Sequence, residues 1–277
     1  MATVAELLRR GDDLPSDSAR RDAEILLGYT LSQSRSWLYT WPEREVPAPQ
    51  AQQYLQLMTE RRQGQPIAYL LGQREFWSLP LQVNRHTLIP RPETETLVSW
   101  ALEVSLPPAA QVLDLGTGCG AIALALARER PRWNVCGLDA SAEALVVARD
   151  NAARLDLARV QLLHSHWYAA VAGEQFDLLV SNPPYIDAID VHLASGDVRF
   201  EPRSALVAAE GGLADIIHLI RGARAQLHTG GWLLLEHGFS QGPEVRALLQ
   251  DNGFSAIETR GDFAGHERIT GGRSDAR

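Results

Sequence analysis

Asp114-Leu115-Gly116-Thr117-Gly118-Cys119-Gly120 is the stretch on which the fold turns. It follows the short apolar run Gln111-Val112-Leu113 and precedes an alanine-rich segment, Ala121 to Arg130, patterned as a helix. Strand, glycine loop and helix together make a nucleotide-binding turn. The glycines let the backbone approach a ligand closely, and the helix start leaves N–H groups without intrahelical partners. Gly116, Gly118 and Gly120, with Thr117 and Cys119 between them, are therefore candidate cofactor-binding residues.

Downstream, Val135-Cys136-Gly137-Leu138 reads as a second strand ending in Asp139, where a carboxylate can accept from both hydroxyls of a ribose. The loop and this acid suit a dinucleotide and S-adenosylmethionine equally. Asp114 separates them, because a carboxylate at the end of the first strand repels a pyrophosphate but suits the ammonium end of S-adenosylmethionine. The cofactor expected here is accordingly the methyl donor. Further strands are expected near Val112, Val160, Leu178 and Leu233, with helices starting near Ala121, Ser141, Leu213 and Pro243. Such alternation predicts an α/β fold with a mostly parallel sheet covered on both faces, its ligands beyond the carboxyl ends of the strands. Ser141 suits the N-cap of the second of these helices.

At the end of the strand Phe176-Asp177-Leu178-Leu179-Val180 stands Asn182-Pro183-Pro184-Tyr185. An asparagine held there, followed by two residues without backbone N–H groups, makes a compact acceptor site for an NH₂ group. Pro-Pro also ends strands without any chemistry, so the tetrapeptide gains its meaning from the glycine loop upstream.

Taken together, the Asp-x-Gly-x-Gly-x-Gly loop, the acid after the next strand and Asn-Pro-Pro-Tyr resemble the Rossmann-like methyltransferases that act on planar nitrogens. Three flanking phrases narrow the resemblance: Phe76-Trp77-Ser78-Leu79-Pro80, Leu88 to Glu95 (Leu-Ile-Pro-Arg-Pro-Glu-Thr-Glu) and Val198-Arg199-Phe200-Glu201-Pro202. With them the chain is similar to the glutamine methyltransferases of peptide chain release factors over nearly its whole length. The resemblance implies a class I methyltransferase domain with a seven-stranded sheet. It also implies a protein substrate, the glutamine of the Gly-Gly-Gln motif in class 1 release factors. It places Trp167, in His164-Ser165-His166-Trp167-Tyr168, against the adenine; His166 stands where similar proteins carry an acid able to accept from the adenine amino group.

A carboxamide nitrogen is a poor nucleophile because its lone pair is delocalised. Acceptors at both of its hydrogens orient it and offset the positive charge that develops during methyl transfer. The Asn182 side-chain oxygen and the Pro183 carbonyl are assigned to those hydrogens, and Tyr185 is expected to lay its ring on the flat amide. Asn182, Pro183 and Tyr185 are thus the candidate catalytic residues. The whole tetrapeptide, Pro184 included, is the candidate substrate site, and Asn182 also borders the cofactor. Glu93, Glu95 and Glu201 have two readings, as acids lining the substrate entrance or as solvated loop charges tied to nearby arginines, the commoner fate, and are left outside the site.

Upstream of the glycine loop, apolar residues recur at helical spacing in Val4/Leu7/Leu8, Ala23/Leu26/Leu27 and Tyr54/Leu57/Met58, with breaks at Gly11 to Pro15 and Trp41 to Pro49. The expected organisation is a helical bundle over 1–73 that helps dock the substrate, a hairpin linker over 74–90 and the methyltransferase domain over 91–277. A frayed tail is expected from Ser274 to Arg277.

Composition excludes several classes. No apolar run is long enough to span a membrane and the first residues lack a signal-peptide pattern, so a cytoplasmic protein is expected. Two cysteines, Cys119 and Cys136, make neither a disulfide framework nor a zinc site, and His164 with His166 has no acid or thiol cluster beside it, so no metal is expected. A net charge of −8 disfavours stable nucleic-acid binding, although all 26 basic residues are arginine, a bias attributed to base composition. A monomer is expected. The competing readings are methylation of amino groups on nucleic-acid bases, a nucleotide-sensing interaction protein without chemistry, and a dehydrogenase.

Overall fold

The computed structural model describes residues 2–16 and 18–275; Met1, Asp17, Ala276 and Arg277 lie outside them. Packing divides the chain into two compact units, Met1–Gln73 with Ala194–Phe200, and Arg74–Leu193 with Glu201–Arg277. Among the described residues no helix is long and apolar enough to cross a membrane.

The first unit holds α1 (Val4–Arg9), α2 (Ala19–Leu31), α3 (Arg35–Thr40), α4 (Ala48–Arg62) and α5 (Ile67–Leu71). The helical periodicity reports its core directly: Val4, Leu7, Leu8, Ala23, Leu26, Leu27, Tyr54 and Met58 form one buried cluster, with Leu57 half-buried against it. A capping box between Thr3 and Glu6 starts α1 by satisfying N–H groups at both positions. Tyr54 buries its ring and donates its hydroxyl to the Leu7 carbonyl at 3.1 Å, so the one polar atom of the cluster is satisfied. Within this unit Arg61 bridges Asp22 at 2.8 Å and Asp197 at 2.9 Å, and Arg199 donates to the Gln63 carbonyl at 3.0 Å. The Val-Arg-Phe part of the third flanking phrase therefore packs with the helices.

A hairpin of β1 (Gln73–Phe76) and β2 (Leu79–Gln82) follows. Its two-residue turn places both Trp77 (φ 51°) and Ser78 (φ 57°) in the left-handed region, as a type I′ turn requires. A tryptophan adopts this conformation at a steric cost, offset here by two carboxylates: Glu95 accepts from its backbone N–H and Glu129 from its indole N–H, each at 2.9 Å. Glu95 is therefore a structural ligand of the turn.

The second unit continues with α6 (Glu95–Glu103), β3 (Gln111–Leu115), α7 (Ala121–Glu129), β4 (Asn134–Asp139), α8 (Ala142–Arg154), β5 (Gln161–His164) and β6 (Phe176–Ser181). A small pair, β7 (Ile186–Asp187) and β8 (Val207–Ala208), and the turn α9 (Ala209–Gly212) precede α10 (Ala214–Gln226), β9 (Leu227–Glu236), α11 (Gly242–Asp251), β10 (Phe254–Gly261) and β11 (Glu267–Ser274). Seven strands form one sheet in the order β10-β11-β9-β6-β3-β4-β5. The pairs β3/β4, β4/β5, β3/β6 and β6/β9 are parallel, and β11 runs antiparallel to both β9 and β10. The α/β class and the mostly parallel seven-stranded sheet are thus those expected.

The chain winds outward from β3 to β5 and then returns to β6 on the other side of β3. Beyond the carboxyl ends of β3 and β6 lies the crevice in which such sheets bind ligands. One face of the sheet buries Leu113, Leu179 and Leu233 against Ile216, Leu219 and Ile220 of α10.

Two details correct the sequence reading. Ser274 is not frayed: it is a buried residue of β11, paired with Phe254, whereas Ala276 and Arg277 lie outside the described residues. Glu201 is not a solvated charge: its side chain is buried, accepts from the Ile89 N–H at 2.9 Å and is ion-paired with Arg91.

Candidate active site

Asp114 is buried within β3 and accepts from the Thr117 hydroxyl at 2.6 Å and from the Ala123 N–H at 3.2 Å, tying both sides of the glycine loop to the strand. The loop turns back over the sheet because Gly116 (φ 76°), Gly118 (φ 57°) and Gly120 (φ 88°) adopt conformations that L side chains rarely reach. The N–H groups of Gly116 and Thr117 donate to the Leu138 carbonyl at 2.9 and 2.8 Å, which fastens the loop to the end of β4. A side chain at Gly137 would collide with Thr117, so that glycine in β4 is part of the same construction.

Asp139, the last residue of β4, accepts from the N–H groups of Gly118 and Ser141, each at 2.8 Å. Burial raises its carboxyl above the usual range, and those N–H groups act in the opposite direction. Ser141 caps α8 through the Ala144 N–H at 3.0 Å. Beside this corner opens a cavity of about 330 Å³, a volume typical of small-molecule sites. Gly116, Gly118, Asp139, Trp167, Asn182 and Pro184 all line it. These six, drawn from the ends of four strands, are brought together around one cavity.

The other candidates stand elsewhere. Asp114 in β3 and Thr117, Cys119 and Gly120 in the loop are buried and do not line the cavity. Both thiols are pushed up to about 12 by burial, so Cys119 and Cys136 behave as small apolar groups. Pro183 is buried and Tyr185 half-buried, packed against the sheet cluster. The Tyr185 hydroxyl donates to Glu236 at 3.3 Å.

Several residues of this region escape a sequence reading. His86, Thr87 and Leu88 line the cavity, as do Pro202 and Ser204. So does Asp215 on α10, whose carboxyl burial raises. Trp167 (φ 48°) lies over Gly116: a Cβ there would sit 3.7 Å from the indole. His166 also lines the cavity and meets Trp167 edge-on, with ring centroids 6.2 Å apart. His164 donates to the Ala140 carbonyl at 2.9 Å. Among the described residues no group of three or more His, Cys, Asp or Glu side chains could hold a metal ion.

The residues present fit S-adenosylmethionine. A carboxylate stands in the cavity at Asp139 to accept from hydroxyls, and the loop approaches without side chains at Gly116 and Gly118. Behind it the second oxygen of Asp114, Oδ1, is buried with no hydrogen-bond partner. An unpaired internal carboxylate oxygen is stabilised by nearby positive charge, which this donor carries on sulfur and on its ammonium.

Residues 94–238 match the family model "Methyltransferase small domain", and residues 4–72 match "PrmC N-terminal domain". The release factor glutamine methyltransferase of Salmonella typhimurium is 54% identical over 93% of each chain. That of Pseudomonas aeruginosa is 50% identical over 99% of each. The chain belongs to the release factor glutamine methyltransferase family. A solved methyltransferase from Pyrococcus furiosus, 18% identical, shares the fold of the larger unit, with a TM-score of 0.55 over 72% of this chain and 90% of that one.

In this release factor glutamine methyltransferase family member, burial lifts the Asp114 carboxyl to about 7, against the Thr117 and Ala123 hydrogen bonds that lower it. An acid raised from 3.8 to about 7 on folding binds more protons folded than unfolded between those values. Its contribution to the stability of the ligand-free protein therefore declines as pH rises through that window. Asp114→Asn removes the ionisable group. Relative to the wild type, the variant is expected to gain stability progressively from pH ~4 to ~7 in urea titrations; a difference independent of pH would contradict the assignment.

Proposed function

We propose that this chain methylates the side-chain amide nitrogen of the glutamine in the Gly-Gly-Gln motif of class 1 peptide chain release factors, using S-adenosylmethionine. The observation that carries the proposal is Asn182 on the wall of a cavity that also contains Gly116, Gly118 and Asp139: an amide acceptor beside a nucleotide cradle. Family membership supports the same substrate.

When bound, S-adenosylmethionine supplies an electrophilic methyl group on a sulfonium. Asp139 would hold its ribose hydroxyls, Gly116 and Gly118 would admit it, Trp167 would pack on its base, and Asp114 would face its positive charge at the far side of the loop. The chain's own work is on the nucleophile. Asn182 accepts from one hydrogen of the glutamine NH₂ and the Pro183 carbonyl from the other. Both acceptors grow stronger partners as positive charge develops on that nitrogen. Pro184 on the cavity wall, with Tyr185 anchored behind it on Glu236, restricts the amide plane so that the lone pair points along the line of transfer. The methylated nitrogen is acidic enough to release its proton to solvent without a dedicated strong base.

The helical unit contributes to docking of the release factor. The protein acts in the cytosol as a monomer and binds nucleic acid only weakly, as its net charge of −8 favours. Incubation with radiolabelled S-adenosylmethionine tests the reading: a class 1 release factor should take up label, and the same factor with its motif glutamine replaced by alanine should not. Equal labelling of both would move the substrate to another nitrogen.

A further inference from the structure

An asparagine can accept from a substrate NH₂ only when it presents Oδ1 rather than its own NH₂, and the two ends of an amide are nearly the same shape. The side chains around Asn182 settle which end faces the cavity. Glu236 terminates β9 and is 1% exposed. It accepts from the Thr94 hydroxyl at 2.7 Å and from the Tyr185 hydroxyl at 3.3 Å. Burial pushes the Glu236 carboxyl up to about 7, against the Thr94 and Tyr185 hydrogen bonds that lower it; in its ionised form it has acceptors only, so the single hydrogen on Thr94 Oγ1 is committed to it. What remains on that oxygen is lone pairs, and they take the Asn182 Nδ2–H at 3.1 Å. One Asn182 N–H and the hydroxyls of Thr94 and Tyr185 are thereby directed into this buried cluster, which leaves Oδ1 as the end of the amide without a place in it.

We propose that Thr94 and Glu236 are positioning residues that hold the Asn182 amide with Oδ1 toward the substrate nitrogen. This rests on the role given to Asn182 above. Neither residue needs to touch the substrate or the cofactor, and neither lines the cavity. Tyr185 joins the same carboxylate, so the two ends of the Asn-Pro-Pro-Tyr turn are oriented by one buried acid. A protein that needed only a well-packed turn would not require a carboxyl there: burial penalises its charged form, and an apolar side chain would fill the space at less cost.

The test compares Thr94→Val with Thr94→Ser. Valine keeps the shape but leaves the Asn182 NH₂ without an acceptor, whereas serine restores the hydroxyl. Steady-state methylation of a class 1 release factor should show kcat lowered by about 10- to 100-fold in Thr94→Val, the scale of one misdirected group in a preorganised site. The KM for the factor and the Kd for S-adenosylmethionine should stay close to wild type, and Thr94→Ser should recover at least about tenfold of the lost kcat. An unchanged kcat in Thr94→Val would overturn the proposal, as would loss of cofactor binding in parallel with activity, which marks a purely structural role. The wild-type protein run alongside separates the two levels: if it does not methylate the factor, the functional reading has failed, not the positioning of Asn182.

Discussion

Asn182→Ala is expected to lower kcat for glutamine methylation by about 10²- to 10³-fold, the cost of deleting one preorganised hydrogen-bonding group at a reacting centre. The reason is specific to the nucleophile. An amide nitrogen keeps its lone pair in conjugation until the methyl begins to transfer, so an acceptor already in place at one N–H contributes most when charge appears on nitrogen. Uniform weakening of substrate binding would instead raise KM and leave kcat alone. Isothermal titration should find S-adenosylmethionine bound within a few-fold of wild type, because Gly116, Gly118 and Asp139 remain on the cavity wall. A variant that keeps its kcat would remove Asn182 from the mechanism.

Asp139→Ala is expected to act on the other substrate. Its carboxylate organises the corner between β4 and the glycine loop through the N–H groups of Gly118 and Ser141. It also stands in the cavity, where it would accept from two ribose hydroxyls. Hydrogen bonds to a charged acceptor contribute roughly 1.5–3 kcal/mol each, so losing two should weaken cofactor binding by about 100-fold or more. At saturating S-adenosylmethionine much of kcat should return, since the groups that orient the amide are untouched. Direct titration reads the affinity; a Kd within about threefold of wild type would show that the ribose is held elsewhere.

Legibility in the sequence followed the strength of local signals. The central strands and the helices after them were readable because β3, β4 and β6 are short apolar runs closed by glycine, acid or proline, and α7, α8, α10 and α11 begin at or within about two residues of the expected positions. The first unit's core was readable because three helices carry the 3.6-residue period without interruption. The last two strands were not. β11 contains Gly271 and Gly272, residues that strand propensity disfavours. Gly271 is needed for another reason: a Cβ there would fall 2.4 Å from Leu234 and 2.9 Å from Trp100, so the glycine makes room for a tryptophan from α6. That is a tertiary requirement, and no window of local sequence contains it.

The site divides in the same way. Gly116, Gly118, Asp139 and Asn182 were identifiable because each sits at the carboxyl end of a strand, where topology puts ligands. Thr94 and Glu236 were missed, although Glu236 offers the same signal as Asp139: a lone acid closing an apolar run, Trp232-Leu233-Leu234-Leu235. Thr94 stands between Glu93 and Glu95, whose charges are the stronger local signal. Its role depends on Asn182, distant in sequence, and on Glu236, more distant still. The role of Glu201 stays open in the sequence for a similar reason: an acid among prolines and arginines looks exposed until the Ile89 N–H and Arg91 close over it.

The central claim is that the methyl acceptor is the glutamine side-chain amide nitrogen. Peptide mass spectrometry of a class 1 release factor, incubated with this protein and S-adenosylmethionine, tests it most directly. The account predicts a single added methyl on the glutamine of Gly-Gly-Gln, with fragment ions that keep it on the side-chain amide. An unmodified glutamine, under conditions in which the protein demonstrably binds the methyl donor, would contradict it.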